Sequence, residues 1–564
     1  MHFARIIVCS LLIVLVHGGC DWYSNLPQDA GTDVPSGKLT SLSFAPFREG
    51  FSPLEKKYPL PEHVDEDLSL LADKTYNVRT YSSLGGMQPV PDMARKYGLT
   101  VLQGAWIGDE DLNNRQEVAE LIKSANANPD VVKRVIVGNE VLLRGEMNVD
   151  RLITYIREVK KAVKQPVSYA DVWSMYMKYP QLIKEVDFIT IHILPYWEDE
   201  PISVDHATEH LEKIVKQVED EARGIAPDKT ILIGESGWPG AGRQRGLAKP
   251  SVVNEAKFIR GMIAVTNRHG FDYNIVEAFD QPWKSHLEGV VGANWGLLSA
   301  DRQPVFPLNG PVQENPSWLT DFFVASVLWL LIIIVYVPKM QSLSWLKVLL
   351  FLGLAQVFSV ALVGLAKFDW YTSYSHFQRT YTAVLVLANA GLGWLLLRRY
   401  LQQLTNAKGN EELAGWLRRG YLFFIALALF KTLSLAVRGR YLSFPVEQFM
   451  LPALGVLGLM ASQWLGAGRL KLAQLNFDQL IGWRLQSQRD HWIGYMLIFG
   501  MMALVLGETN AFLQGRDFIQ AHPRLVEGLP VALEYTLYNQ QLVNWLLCLL
   551  VLSLPFWRKH TENN

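Results

Sequence analysis

Cysteine is almost absent. The 564 residues include three, Cys9, Cys20 and Cys548, so residues 21–547 hold no internal disulfide and no cysteine metal site. A domain in that stretch depends on its apolar core, which a segment of this length can supply. Other signatures are missing too. No His-Glu-x-x-His pair marks a metal hydrolase. Glu235-Ser236-Gly237 lacks the first glycine and the spacing of a Gly-x-Ser-x-Gly elbow, which speaks against a serine hydrolase. No Gly-rich phosphate turn follows the first strand candidate, which weakens a doubly wound open sheet. No metal and no cofactor is called for.

Charge is not scarce but segregated. The formal total is −1, yet residues 1–318 carry 33 Lys+Arg against 42 Asp+Glu, and residues 319–564 carry 20 against 12. The basic residues sit at the ends of long apolar runs rather than on one face, which makes nucleic acid a poor partner. Those runs are seven, at about 320–338, 345–366, 380–397, 420–437, 446–466, 492–513 and 538–557, each near the length that crosses a bilayer.

Lys/Arg placement sets the expected orientation. Inner loops and ends hold Arg5, Lys339, Lys347, Arg398, Arg399, Lys408, Arg418, Arg419, Arg469, Lys471, Arg484, Arg489, Arg558 and Lys559. Outer loops hold Lys367, Arg379, Arg438, Arg440, Arg516 and Arg524. This bias places the first half of the chain outside the cytoplasm and the C-terminus inside. Arg5 precedes Ile6–Val16, an apolar stretch of signal-peptide length, so residues 1–20 read as a cleaved signal or an uncleaved anchor. Cys20 as a lipid-attachment site is a weaker match, because His17 stands where an apolar residue belongs. Polar residues inside spans are costly: Lys431 in the fourth, Glu508 near the outer end of the sixth, and Asn539, Gln540, Gln541 and Asn544 entering the seventh. They read either as helix-helix hydrogen bonding and snorkelling, or as a polar groove that meets a sugar polymer at the outer face.

The expected layout is a linker over 21–38, a catalytic domain over 39–312, a linker over 313–319, a membrane domain over 320–557 and a cytoplasmic tail over 558–564. In the catalytic part, strand candidates alternate with amphipathic stretches: Ser41–Pro46, Val78–Ser82, Val101–Trp106, Val132–Glu140, Val167–Trp173, Phe188–Pro195, Thr230–Trp238 and Asn274–Trp283. Glu117–Ala127, Val149–Val163 and Val204–Ala222 are helix-like segments between them. Eight strands with intervening helices make an α/β fold, a (β/α)8 TIM barrel, followed by an all-α transmembrane bundle.

Barrel active sites form at strand C-termini. Glu140 and Glu235 finish the fourth and seventh strands and are placed to face each other. Two carboxyls about 5–5.5 Å apart suit a retaining glycosidase, one as acid/base and one as nucleophile. The acid then needs a raised pKa. Asn139 is suited to bond a sugar 2-OH. Aromatic residues crowd the strand ends: Tyr81, Trp106, Trp173, Tyr196, Trp197, Trp238, Phe279, Trp283 and Trp295. Rings of this kind pack on sugar faces, and Trp106, Trp173, Trp197 and Trp238 are the preferred subsite residues. His192, Glu277 and Lys284 complete the substrate-binding candidates, His192 as a rim or supporting residue. Glu146, six residues past Glu140, is at most a rim carboxylate.

These segments resemble glycoside hydrolase family 17, the β-1,3-glucanases and glucan transglycosylases. "VIVGNEV" looks like the acid/base strand and "ILIGESGWP" like the nucleophile strand, with "VDFITIHILPYWE", "VLQGAWIG" and "VEAFDQPWK" in order between Leu39 and Pro311. The resemblance implies Glu140 as acid/base and Glu235 as nucleophile, acting on β-glucan with retention. Relatives often carry Glu where Gln281 stands, which bears on a subsite carboxylate. The whole layout is similar to bacterial membrane proteins described as β-1,6-glucan synthases of cyclic β-(1,3),(1,6)-glucan synthesis. That similarity implies the bacterial inner membrane, a periplasmic catalytic domain, and a separate membrane glucan synthase as partner, since no nucleotide-sugar transferase domain is found. The expected activity is a transglycosylase at the bilayer. The alternatives are an endo-β-1,3-glucanase and a glucan-binding export or assembly protein.

Overall fold

A computed structural model describes residues 2–34, 36–468, 475–484 and 489–557. Arg469, Lys471, Arg558, Lys559 and the tail 558–564 lie outside the described residues. The chain divides into two compact units, residues 27–314, and residues 1–26 with 315–564.

In the first unit eight parallel strands close in sequence order into a barrel. They are β1 (Leu39–Ser43), β2 (Thr75–Arg79), β3 (Thr100–Ala105), β4 (Val132–Asn139), β5 (Val167–Val172), β6 (Ile189–His192), β7 (Ile231–Ser236) and β8 (Asp272–Ile275). Leu42 of β1 pairs with Val78 on one side and Ile275 on the other, which closes the ring. Val135, Ile136 and Val137 are all buried, as an apolar strand must be when helices cover its outer face. The helix Val149–Ala162 shows how: Leu152, Ile153, Ile156 and Val159, three and four apart, are its buried stripe.

The barrel interior also holds polar groups, and one set of them is linked by hydrogen bonds. Ser41 donates to Asn274 Oδ1 at 2.6 Å, and the Asn274 amide donates to Ser43 Oγ at 2.8 Å and to the Gly234 carbonyl at 3.0 Å. All eight expected strands overlap observed ones. The eighth is much shorter than Asn274–Trp283. Beyond Ile275 the backbone keeps single bonds to Ser236 and Ser43 and mainly bonds residues 295–298, with Asp280 N–H donating to the Leu298 carbonyl at 2.9 Å. Pro282, which lacks an N–H, then opens a short 3-10 turn.

The second unit is helical. Among the described residues, seven of its helices are long and apolar enough to cross a membrane: Phe3–Ser24, Trp318–Met340, Trp345–Tyr371, His376–Leu404, Glu411–Tyr441, Val446–Ala467 and His491–Leu513. An eighth crossing would be a pair, Leu525–Tyr538 and Gln540–Phe556, bent by 75°. Two corrections follow. The seventh expected span, 538–557, is the second arm of that bent pair, because Asn539 starts a new helix by accepting the Leu542 N–H at 3.1 Å. The N-terminal helix does not stop with the apolar run at Val16. The helix continues to Ser24, since His17 finds partners in Asp21 at 3.0 Å and Gln356 at 2.8 Å. Arg5 donates to the Leu343 carbonyl at 2.8 Å.

Where β7 and β8 end, Gly237 allows the two strands to approach. A Cβ there would lie 2.2 Å from the Val276 carbonyl oxygen. Backbone cannot yield as a flexible side chain does, so Gly237→Ala should cost about 1–3 kcal/mol or more. A thermal unfolding scan of the purified chain checks this; an unchanged midpoint would refute the close approach.

Candidate active site

The end of β4 is shaped to present the side chain that follows it. Gly138 has φ +89°, and a Cβ there would come within 2.9 Å of Val141 and 3.4 Å of the Tyr169 ring. Glu140, with φ +52°, takes the left-handed region without being glycine, at about 1–3 kcal/mol. The surrounding bonds hold it there: its N–H donates to the Ala170 carbonyl at 2.8 Å, and its Oε1 lies 2.9 Å from His192 Nδ1 at the end of β6. From β7, Glu235 Oε1 lies 3.5 Å from the other ring nitrogen, His192 Nε2. One oxygen of each glutamate and a nitrogen of His192 fall within 4.8 Å of one another.

A residue that the sequence reading passed over fixes this group. Arg79, at the end of β2, is buried. Its Nη1 donates to the Gly234 carbonyl at 2.6 Å and to Glu235 Oε1 at 3.2 Å, and its Nη2 to Asn139 Oδ1 at 2.5 Å. The guanidinium also lies 4.9 Å from the centre of the Tyr81 ring, whose hydroxyl donates to Ser43 Oγ at 2.8 Å. The only sequence signal was a charged residue inside an apolar strand. Glu140, His192 and Glu235 are the described group able to offer three ligands to a metal ion. Arg79 already brings a positive charge to Glu235, and a cation would share that carboxylate with it.

Electrostatics departs from the expected pattern. Burial raises the Glu140 pKa, but the His192 hydrogen bond and charge, with Arg144 and Arg79, outweigh it and hold the carboxyl below its ordinary value. An acid with a raised pKa is therefore not what this arrangement holds. The raised carboxyls stand around it. Burial pushes Glu277 up to about 7 despite the Lys284 ammonium at 2.6 Å, and Glu235 and Glu288 add to the rise. Asp171 on β5 is lifted to about 6 by burial, with Glu140 adding to the rise. Glu288 is lifted by burial and by both Glu140 and Glu235. Asp171 and Glu288, like Arg79, were not singled out from sequence, since nothing local marks a lone carboxylate as facing the barrel mouth.

The aromatic candidates separate into two sets. Trp238 is fully buried, packs on Phe258 and donates its indole N–H to the Lys249 carbonyl at 3.0 Å. Tyr196 is also buried, and its hydroxyl donates to the Arg243 carbonyl at 2.6 Å. Both are core residues with no face for a ligand, contrary to the expected subsite role, and Phe279 and Trp295 are buried with them. Trp106, Trp173, Trp197, Trp283 and Tyr81 keep part of their surface exposed. Arg144 covers one face of Trp106 at 4.5 Å, and Trp173 Nε1 donates to Glu198 at 3.3 Å. Glu146 is paired with Arg144 at 2.7 Å. Gln281 is buried and donates to the Ala45 and Phe279 carbonyls while accepting the Trp283 indole N–H at 2.9 Å. A carboxylate could not make those two donations, so here the residue is structural.

Comparison with known proteins places this barrel. Residues 42–296 match the BtgE/BtgC glycoside hydrolase domain. The chain is 31% identical over 266 residues to a glucan 1,3-beta-glucosidase of Arthroderma benhamiae, covering 44% of this chain and 85% of that protein. A glucan 1,3-beta-glucosidase of Saccharomyces cerevisiae is 24% identical, over 42% of this chain and 81% of that protein. Among solved structures, a glycoside hydrolase family 17 beta-1,3-glucanosyltransferase from Rhizomucor miehei is 29% identical. It matches 48% of this chain and 96% of its own with a TM-score of 0.41.

Without its guanidinium, Arg79→Met leaves Asn139 Oδ1 without its donor and the buried Glu235 carboxyl without its guanidinium partner. The loss should be about 3–5 kcal/mol, seen as a lowered unfolding midpoint. Arg79→Lys, whose single ammonium cannot span three acceptors, should recover only part of it. Full recovery with lysine would show that charge alone, not the fork, holds the site.

Proposed function

The chain belongs to the BtgE/BtgC glycoside hydrolase family through residues 42–296, and on that premise we propose that it is a membrane-anchored, retaining β-glucan transglycosylase. The separation of the two carboxyls carries the reading. Oxygens of Glu140 and Glu235 within 4.8 Å suit direct attack on a sugar, whereas inverting enzymes leave about 6.5–9.5 Å for a water. The named activity of the Arthroderma benhamiae and Saccharomyces cerevisiae relatives supports β-1,3-glucan as the donor.

In this mechanism Glu235 attacks the anomeric carbon while Glu140 gives its proton to the leaving glycosidic oxygen. A covalent glucosyl-enzyme forms and the shortened donor leaves. Glu140, now a carboxylate, takes the proton from an acceptor hydroxyl. That oxygen attacks the anomeric carbon and Glu235 is released. Arg79 donates to Glu235 Oε1 and fixes the position of the nucleophile. It also occupies Asn139 Oδ1, leaving the Asn139 NH2 group to donate to the sugar 2-OH. The low pKa of Glu140 rests on the proton and charge of His192. Sugar that displaces water adds to the burial that favours the protonated carboxyl. Trp106, Trp173, Trp197, Trp283 and Tyr81 supply sugar-facing surface, with Glu277 and Lys284 beside Glu235.

Transfer rather than hydrolysis is favoured because a glucanase domain tied to a set of apolar helices suits polymer construction at a membrane. The Lys/Arg bias supports a multi-pass protein with its barrel on the side away from the cytoplasm, and the overall layout is the ground for reading that membrane as a bacterial inner membrane and that side as the periplasm. The partner contacts made by Arg5 and His17 favour an N-terminal helix that is retained. An endo-β-1,3-glucanase is the second reading, since only the acceptor distinguishes it. A barrel that merely binds glucan for export is disfavoured by the retained glutamate pair and the Arg79 scaffold around it.

Incubating the detergent-purified chain with laminari-oligosaccharides tests the choice: products longer than the donor, or bearing β-1,6 bonds, mean transfer, and shorter ones alone mean hydrolysis. Glu235→Gln should abolish both. In His192→Ala the causes that lower the Glu140 pKa are largely gone, so the alkaline limb of kcat/KM should move to higher pH. A limb that stays or moves down would sink the His192–Glu140 linkage.

A further inference from the structure

Four helices of the second unit bring polar side chains together at one end of the bundle. Asp369 lies near the end of Trp345–Tyr371, Tyr381 in the second turn of His376–Leu404, Lys431 in the last turns of Glu411–Arg438, and Gln448 in the first turn of Val446–Ala467. Asp369 Oδ2 accepts from Gln448 Nε2 at 2.8 Å. Lys431 Nζ sits 5.2 Å from the centre of the Tyr381 ring and interacts electrostatically with Asp369. Deeper in the same place, Asn389 is fully buried, and its amide donates to the Leu385 carbonyl at 3.0 Å and the Gln448 carbonyl at 3.3 Å. The chain enters the unit at this end, where Lys367 donates to Asn315 at 3.1 Å and Ser317 at 2.8 Å.

Interhelical hydrogen bonding accounts for part of this cluster, as polar residues between spans often do. It leaves a remainder. Asn389 Oδ1, Gln448 Oε1 and the Tyr381 hydroxyl are buried and lack a hydrogen-bond partner. An unmade buried bond costs about 1–3 kcal/mol, and three such atoms in one place within apolar helices amount to a demand for a ligand. Charge narrows its chemistry. An anion would meet Asp369 and Glu447, which also interact with each other. A cation would meet Lys431. Two vacant amide oxygens and a phenol call for O–H donors, and the Lys431 ammonium calls for an acceptor. An uncharged molecule rich in hydroxyls, such as a sugar, satisfies all of them, since amides, a phenol and a charged residue are the polar groups that orient a bound ligand.

We propose that Asp369, Tyr381, Asn389, Lys431 and Gln448 form a second glucan-binding site, within the helical unit and separate from the barrel, that holds a neutral segment of the polymer. The proposal rests on the β-glucan reading of the barrel.

Calorimetric titration of the full chain in detergent with laminarihexaose tests it, in a Glu235→Gln background that stops turnover. Two hexasaccharides should bind per chain, and one when Asn389→Ala and Gln448→Ala are added. Tyr381→Phe, which removes one hydroxyl and little else, should weaken only the second event, about fivefold to tenfold. A single event per chain, unaltered by any of these substitutions, would overturn the second site and leave the barrel reading standing. No binding at all would overturn both. In the Glu235-intact chain, the Asn389→Ala and Gln448→Ala pair should keep laminaritriose turnover and shorten the longest products. Unchanged product length would count against a site that holds polymer.

Discussion

A guanidinium buried inside a barrel needs acceptors from several directions, and the candidate site is arranged around that need. The interior of a (β/α)8 barrel is ordinarily filled by apolar side chains. Arg79 stands there instead, and a charge so placed is costly unless it is paired and hydrogen-bonded. Three acceptors on two strands meet it: the Gly234 carbonyl and Glu235 from β7, and Asn139 from the end of β4. Because one planar fork contacts all of them, the two strands that carry the glutamates are held in register through a rigid group. The distance between Glu140 and Glu235 is thus a property of the scaffold. Gly138 and the left-handed Glu140 complete the arrangement by turning the second carboxyl toward His192.

The charges form a graded set rather than a pair. His192 lies between the two glutamates, lowering Glu140, while burial and mutual repulsion raise Glu277, Asp171 and Glu288 around them. Like charges crowded into a low-dielectric site cannot all ionise freely. Arg79, Lys284 and the imidazole offset the excess. A glutamate whose proton affinity follows a neighbouring histidine can act as an acid in one step and a base in the next, as a two-step transfer requires.

Much of this was legible in the sequence, for definable reasons. Apolar strands with β-branched residues, buried on both faces, announce themselves by composition, and all eight were found. Glu140 and Glu235 stood out because a carboxylate ending such a strand has no cheap structural explanation. Arg79, Asp171 and Glu288 did not, because their significance lies in partners 60 or more positions away in the case of Arg79 and Asn139, and spacing along the chain carries no record of that. Trp238 and Tyr196 illustrate the opposite error. Position at a strand end suggested sugar contact, but an indole N–H or phenol that finds a backbone carbonyl can be buried completely. The N-terminal helix was underestimated because His17 ended the apolar run, although a polar residue with partners on a neighbouring helix need not end a span.

Retaining transfer at this site requires a covalent bond to one carboxyl. Incubating the purified chain with a 2-deoxy-2-fluoro-β-glucosyl fluoride of laminaribiose, which slows release of the intermediate, and mapping the labelled peptide by mass spectrometry reads that bond directly. The predicted result is a single glycosyl adduct on Glu235, absent from Glu235→Gln. An adduct on Glu140 or Glu277, or catalytic turnover of the natural donor with inversion at the anomeric carbon and no adduct, would contradict it.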